Sequence, residues 1–321
     1  MKETGGRGTV DVSVLVPVTE RPQPLGALYE EYAAPLRETG LAFEFLFVTE
    51  PWRIPLTSEL LDVAARGEPV RVIEAAHGTD EASLLRLGLD QSTGDVLVTL
   101  PAYRRVAASA LPQLVGRVRE GKDFVVARRW PRADSWINRM QTRVFHYLLG
   151  KLAGGRVNDI ACGVRALRRP VLEDLPLYGD FVRFLPLLAM REGFRVEELA
   201  CPQHPDDTAT RLYAPGVYLR RMLDLLNLFF LLRFTFKPLR FFGLMGSGLG
   251  IAGGVILAIM FVQRIGGQGI ANRPLLLVGI LLVTLGLQMF GLGLVGEIIV
   301  HLQAPYRKTY RVLEPERTEA P

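Results

Sequence analysis

The chain has 321 residues, 49% of them hydrophobic, and a formal net charge of +5. Two cysteines exclude a disulfide-built scaffold, and a mean hydropathy of +0.21 excludes an ordinary soluble composition. The sequence pI of about 9.3 fits either nucleic acid or anionic lipid, and the apolar C-terminal third favours phosphorylated lipid head groups over nucleic acid.

Residues 1–10 are polar and Gly-rich, without the apolar segment of a signal peptide, and read as a disordered tail. From there to about residue 205 the composition is that of a globular domain. Residues 11–17 (DVSVLVP) form a β-branched run, read as a buried strand. Leu25, Leu28, Tyr29, Tyr32 and Leu36 give residues 24–38 a helical face. A strand at 43–48 (FEFLFV), a helix at 56–65 and a strand at 70–74 follow. Residues 79–90 open on Thr79 as the expected N-cap of a helix. Strands at 95–100 (DVLVTL) and 123–127 (DFVVA) flank a helix at about 107–119, and 196–201 reads as a further strand. This alternation predicts an α/β fold with a mostly parallel, Rossmann-like sheet covered by helices. In such sheets ligands bind at the carboxyl ends of strands; the ends at 18–21, 49–52 and 101–105 are the ones singled out.

A long helix is expected over about 135–152. Residues 216–242 mix Arg220, Arg221, Arg233, Lys237 and Arg240 with leucine and phenylalanine. Together with 206–215 they read either as interfacial helices next to a membrane span or as a packed, domain-closing helix. Residues 243–262 and 274–296 hold no charged side chain, and each is about the twenty residues that cross a bilayer as a helix. They predict a transmembrane hairpin within 243–303, with a polar loop at 263–273. Lys237 and Arg240 precede it and Arg307, Lys308 and Arg311 follow it, against Arg264 and Arg273 in the loop. The bias predicts a multi-pass protein of the inner (cytoplasmic) membrane with both termini cytoplasmic. Residues 304–321 are read as a polar cytoplasmic tail. Cys162 and Cys201 read as reduced, buried small hydrophobes.

The order of these pieces resembles the family 2 glycosyltransferases of GT-A fold that are anchored by two C-terminal spans and act on polyprenyl or dolichyl phosphate. The likeness runs over residues 12–310. It is carried by Val12 to Val18 (VSVLVPV) and by Asp159, Cys162, Gly163, Val164 and Arg165 in the pattern D-x-x-C-G-[FV]-R. Arg183-Phe184-Leu185-Pro186, Lys237-Pro238-Leu239 with Gly243, Gly296-Glu297 and the tail 306–312 complete it. The resemblance implies transfer of a sugar from a nucleotide sugar to polyprenyl phosphate at the cytoplasmic face, with Mg²⁺ or Mn²⁺ bridging the donor phosphates. It also implies Asp159 as the catalytic residue and Arg165, Arg183 and Arg211 as lipid-phosphate ligands. Such proteins often assemble as homo-oligomers through the membrane; Gly246, Gly248, Gly250, Gly253 and Gly254 fit that, and they fit hairpin self-packing equally.

The donor side departs from the pattern. Where the family places Asp-x-Asp, this chain reads Pro101-Ala102-Tyr103. Its paired aspartates after the second strand are Thr49-Glu50 here, followed by Pro51-Trp52, and Tyr-Asn-Glu after the first strand is Thr19-Glu20-Arg21. A Ser-Lys-Tyr-Gly element appears as Thr210-Arg211-Leu212-Tyr213. No metal ligands are therefore assigned. Glu20, Glu50, Tyr103, Arg104 and Arg105 are the donor-side candidates: the glutamates as a rebuilt cation site or as solvated rim charges, Tyr103 and Trp52 as stacking groups or plugs. Arg104 and Arg105 read either as cations that neutralise a departing diphosphate or as solvated residues opening the next helix. Asp159 reads as a base, as a positioning group, or as a cap or buried partner of Arg165. His204, Asp206 and Asp207 form a polar cluster lacking the further ligands of a metal site, and Asp180 is a weaker acceptor-side candidate. Two functions follow: the transferase, or a catalytically inactive relative that binds lipid phosphate or partners an active paralogue.

Overall fold

The computed structural model describes residues 10–19, 23–50, 57–131, 159–175, 177, 179–208, 238–266 and 274–303. The expected helix at 135–152, the basic stretch through residue 237, Glu20, Trp52 and Arg211 lie outside them. The chain divides into two units, Met1–Tyr213 and Ala214–Pro321.

The first unit is built on a seven-stranded sheet in the order β3-β2-β1-β4-β6-β5-β7. Its strands are β1 (Val12–Pro17), β2 (Phe43–Thr49), β3 (Val70–Glu74), β4 (Val96–Thr99), β5 (Phe124–Arg129), β6 (Arg165–Arg168) and β7 (Val196–Cys201). β1 is parallel to β2 and β4, β2 to β3, and β5 to β7. β6 lies antiparallel between β4 and β5. This strand is absent from the pattern reading. Its four residues, Arg-Ala-Leu-Arg, carry charge at both ends and no alternation long enough to announce a strand. Its antiparallel direction brings Arg165 opposite Thr99 of β4 and Val126 of β5. The amino end of β6 thus joins the carboxyl ends of all the other strands along one edge.

The helices of this unit are α1 (Leu25–Arg37), α2 (Ser58–Ala65), α3 (Glu81–Gln91), α4 (Ala110–Arg119), α5 (Arg169–Asp174) and α6 (Leu185–Arg191). β1 is buried along its whole length, as a central strand covered on both faces must be. The apolar stripe of α1 seals this core: Tyr29 meets Phe45 edge-on at 5.1 Å, and buried Tyr32 donates its hydroxyl to the Val106 carbonyl at 2.6 Å. That bond fixes the segment following β4 beneath α1. The cap of α3 is Asp80, not Thr79. The Asp80 carboxylate accepts the Ser83 amide at 2.9 Å, while the Thr79 hydroxyl donates back to the Ala76 carbonyl.

The second unit contains α7 (Pro238–Ile265) and α8 (Pro274–Gln303), both long and apolar enough to cross a membrane. They pack backbone to backbone. A Cβ at Gly246 would lie 2.6 Å from the Gly286 carbonyl oxygen, and one at Gly253 would lie 2.7 Å from that of Gly279. Gly248 and Gly254 face open space. The Glu297 carboxylate of α8 accepts the Leu239 amide at 3.4 Å, serving a donor of the first turn of α7. Within α8 the Thr284 hydroxyl returns to the Ile280 carbonyl at 2.9 Å, which satisfies it without water.

Candidate active site

The strand edge collects Glu50 after β2, Tyr103 to Arg105 after β4, Arg129 ending β5, Asp159 to Arg165 entering β6, and His204 to Asp207 after β7. Asp159 is almost fully buried and is held by Arg129, not by Arg165. The Arg129 guanidinium donates from Nε to Asp159 Oδ2 at 2.8 Å and from Nη2 to Oδ1 at 2.9 Å, and the Arg129 amide adds a bond of 3.1 Å to Oδ2. The remaining Nη1 reaches Asp207 Oδ2 at 2.8 Å. Burial opposes the Arg129 cation, but the Asp159 hydrogen bonds and charge outweigh it and hold the group firmly protonated. The Asp159 amide donates to Glu198 at 2.8 Å, so side chain and backbone of this residue are both fixed.

Asp207 continues the chain of charge: it accepts Gln203 Nε2 at 2.9 Å and pairs with Arg105 Nη1 at 3.4 Å. The Arg105 guanidinium lies over the Tyr103 ring, 5.0 Å from its centroid. Arg104 pairs with Glu31 of α1 and donates from Nη1 to Gln23 Oε1 at 3.1 Å. The Gln23 oxygen also accepts the Arg104 amide at 2.9 Å, and the Gln23 amide donates to the Ala102 carbonyl at 3.1 Å. His204 stands on the other oxygen of Glu31 at 3.1 Å. Because His204 Nδ1 accepts the Asp206 amide, the ring proton sits on Nε2 and points at Glu31. These residues do not converge as metal ligands.

Arg165 is wholly buried, and its guanidinium donates to three carbonyls: Val182 at 2.6 Å, Arg183 at 3.2 Å and Ile160 at 3.3 Å. Its Nε has no hydrogen-bond partner among the described residues, and burial pulls its pKa down to about 10. Two of those carbonyls belong to the 3₁₀ helix Gly179–Phe184. The start of that helix is held too, since Asp80 accepts the Gly179 amide at 2.9 Å. Arg183 stands on this pinned turn with its side chain exposed. Cys162 is buried, and burial raises its thiol to about 11, so it is no nucleophile near neutral pH.

The fit to Mg²⁺ or Mn²⁺ is poor. Such ions require several carboxylate or carbonyl oxygens. At the end of β4 the Pro101 ring packs on Gly163, where a Cβ would approach Pro101 Cγ to 2.9 Å and the backbone φ is +80°. The Ala102 side chain is 1% exposed. Glu50 accepts the amides of Gly78 at 2.7 Å and Thr79 at 3.1 Å, closing the turn after β3. Among the described residues no group of three or more His, Cys, Asp or Glu is placed to hold a metal.

Pattern reading missed Arg129, Gln23, Glu31 and Glu198. The strand-end rule, applied to β5, leads to Arg129; the other three sit in no motif.

The family model described as glycosyl transferase family 2 matches residues 13–176. The dodecaprenyl-phosphate galacturonate synthase of Rhizobium johnstonii is 26% identical over 297 residues, covering 91% of this chain and 88% of that protein. The undecaprenyl-phosphate 4-deoxy-4-formamido-L-arabinose transferase of Pseudomonas aeruginosa is 29% identical over 300 residues, covering 92% and 87%. Glucosyl-3-phosphoglycerate synthase from Mycobacterium tuberculosis, solved with phosphoglyceric acid, superposes with a TM-score of 0.51 at 17% identity, over 69% of this chain and 79% of that one. That likeness establishes a shared GT-A fold.

Proposed function

The chain belongs to glycosyl transferase family 2, and we propose that it transfers a sugar from a nucleotide sugar to polyprenyl phosphate at the cytoplasmic face of a membrane. One observation carries this reading. Both relatives named above are polyprenyl-phosphate sugar transferases by name, and each matches this chain over more than nine-tenths of its length, sheet and apolar helices together.

The chemistry needs little from a base. A lipid phosphate is an anion near neutral pH. Its oxygen forms the new bond to the anomeric carbon while the bond from that carbon to the diphosphate breaks and the electron pair leaves with the diphosphate. Asp159 then has no proton to take, and its carboxylate, already engaged by Arg129, acts by positioning. On the acceptor side Arg183 and Arg211 meet the lipid phosphate with bidentate forks, and Arg165 sets the turn that carries Arg183. On the donor side Glu20, Glu50 and Tyr103 border the nucleotide.

The test is a transfer assay with the purified full-length chain, undecaprenyl phosphate and radiolabelled UDP-, GDP-, CDP- and dTDP-sugars. The expected result is a radiolabelled product in the lipid phase from at least one donor. Absence of product from every donor overturns the reading.

A further inference from the structure

The end of β4 carries cations where a divalent metal site would need oxygens. Arg104 and Arg105 follow Ala102 and Tyr103 directly, and the two nearby carboxylates, Glu31 and Asp207, are engaged by those guanidinium groups. Asp207 is shared with Arg129 as well. A metal ion placed here would meet two fixed positive charges and no free carboxylate set. A diphosphate would meet two guanidinium groups, for which it competes with those carboxylates.

The guanidinium groups are also fixed at their roots. Gln23 holds the Arg104 amide, the His204 amide donates to the Arg105 carbonyl at 3.0 Å, and Tyr32 holds the next carbonyl, that of Val106. Neither side chain is sealed: Arg104 is 13% exposed and Arg105 20%. The Arg105 contact with Asp207, at 3.4 Å, is long for a charge-assisted hydrogen bond, which lies near 2.7–2.9 Å. A phosphate oxygen at the ordinary distance competes well with it. Donors that are preorganised in this way stabilise developing charge without reorganising at the moment of reaction.

We propose that this chain engages the diphosphate of its donor without a divalent cation, the guanidinium groups of Arg104 and Arg105 meeting its negative charge. The inference rests on the glycosyl-transfer reading above. As the sugar departs to the acceptor, the electron pair that stays on the diphosphate is stabilised by these two cations.

The test is calorimetric titration of the full-length protein in detergent with UDP, GDP, CDP and dTDP, in excess EDTA and again in excess Mg²⁺ or Mn²⁺. At least one nucleotide binds in EDTA, with the affinity it shows in metal. Arg105→Lys keeps the charge but loses the fork, and weakens binding about tenfold. Glu31→Gln frees Arg104 of its carboxylate and tightens binding severalfold, a gain that damage to the fold does not produce. Binding that appears only with metal overturns the inference, as does unchanged affinity in both variants or binding of no nucleotide under any condition. Lipid-linked product formed only with Mg²⁺ or Mn²⁺ leaves the transferase reading standing and removes this inference alone.

Discussion

Arg129 and Asp159 oppose each other with side chains 5% and 3% exposed. Breaking such a buried pair from one side leaves an uncompensated charge, which costs about 3–5 kcal/mol, whereas replacing both partners by apolar groups of similar size is near neutral or stabilising. Arg129→Met is therefore expected to destabilise the protein strongly in denaturant unfolding, and Arg129→Met with Asp159→Leu to recover part of the loss, because Asp207 still loses its bond to Arg129 and keeps Arg105 and Gln203. A double variant no more stable than Arg129→Met alone would remove the pair as a unit. Asp80 is a gentler case. Hydrogen bonding to Ser83, seconded by the Gly179 amide, holds its carboxyl below the usual range. A depressed folded pKa stabilises the fold above the ordinary carboxylate pKa and loses that contribution as pH falls through the folded value. Asp80→Asn keeps an oxygen that can cap the helix but removes the charge from its N-terminus, and is expected to cost about 0.3–1 kcal/mol at pH 7, with the gap to the parent protein closing in acid. A gap that stays constant from pH 7 to acid refutes the assignment.

The packing of α7 on α8 separates glycines that look alike along the sequence. Gly253→Val drives a side chain into the Gly279 carbonyl and Val283, while Gly254→Val points into open space. The first is expected to cost about 1–3 kcal/mol as overpacking does, read as a lower unfolding temperature in detergent, and the second to leave it unchanged. Equal effects would place the interface elsewhere. β1 to β5, β7 and the two apolar helices were legible because each carries its own period or length. β6 was not, because four residues with charged ends hold no period, and its place depends on β4 and β5. Asp159, Arg165 and Arg183 stood out by their motifs, but their partners did not. Arg129 lies 30 residues from Asp159 in sequence and Asp207 lies 78 from Arg129. No local pattern encodes such contacts; β-sheet register brings them together. Arg104 and Arg105 read as diphosphate cations or as solvated residues, and the structure adds a carboxylate partner to each.

For the whole molecule, the proposed topology has α7 and α8 each cross the membrane once, which puts the segments before α7 and after α8 on one side. Lys237, Arg240 in the first turn of α7, and Arg307, Lys308 and Arg311 lie at that end of the pair, against Arg264 in the last turn of α7 and Arg273 just before α8 at the other. Lysine and arginine accumulate on the cytoplasmic side, and the nucleotide-sugar donor site proposed for the first unit requires the same orientation. A green fluorescent protein fused after Pro321 is accordingly expected to fluoresce. A cysteine introduced within 267–273 is expected to react with a membrane-impermeant maleimide applied to the outer face of the membrane. The native thiols do not confuse the measurement, because Cys162 and Cys201 are buried and burial raises them to about 11 and about 12, leaving little thiolate to label. Labelling of that cysteine only after the membrane is opened, together with a dark fusion, would invert the topology. It would place the strand-edge site away from cytoplasmic nucleotide sugars, and the proposed reaction would fall with the orientation.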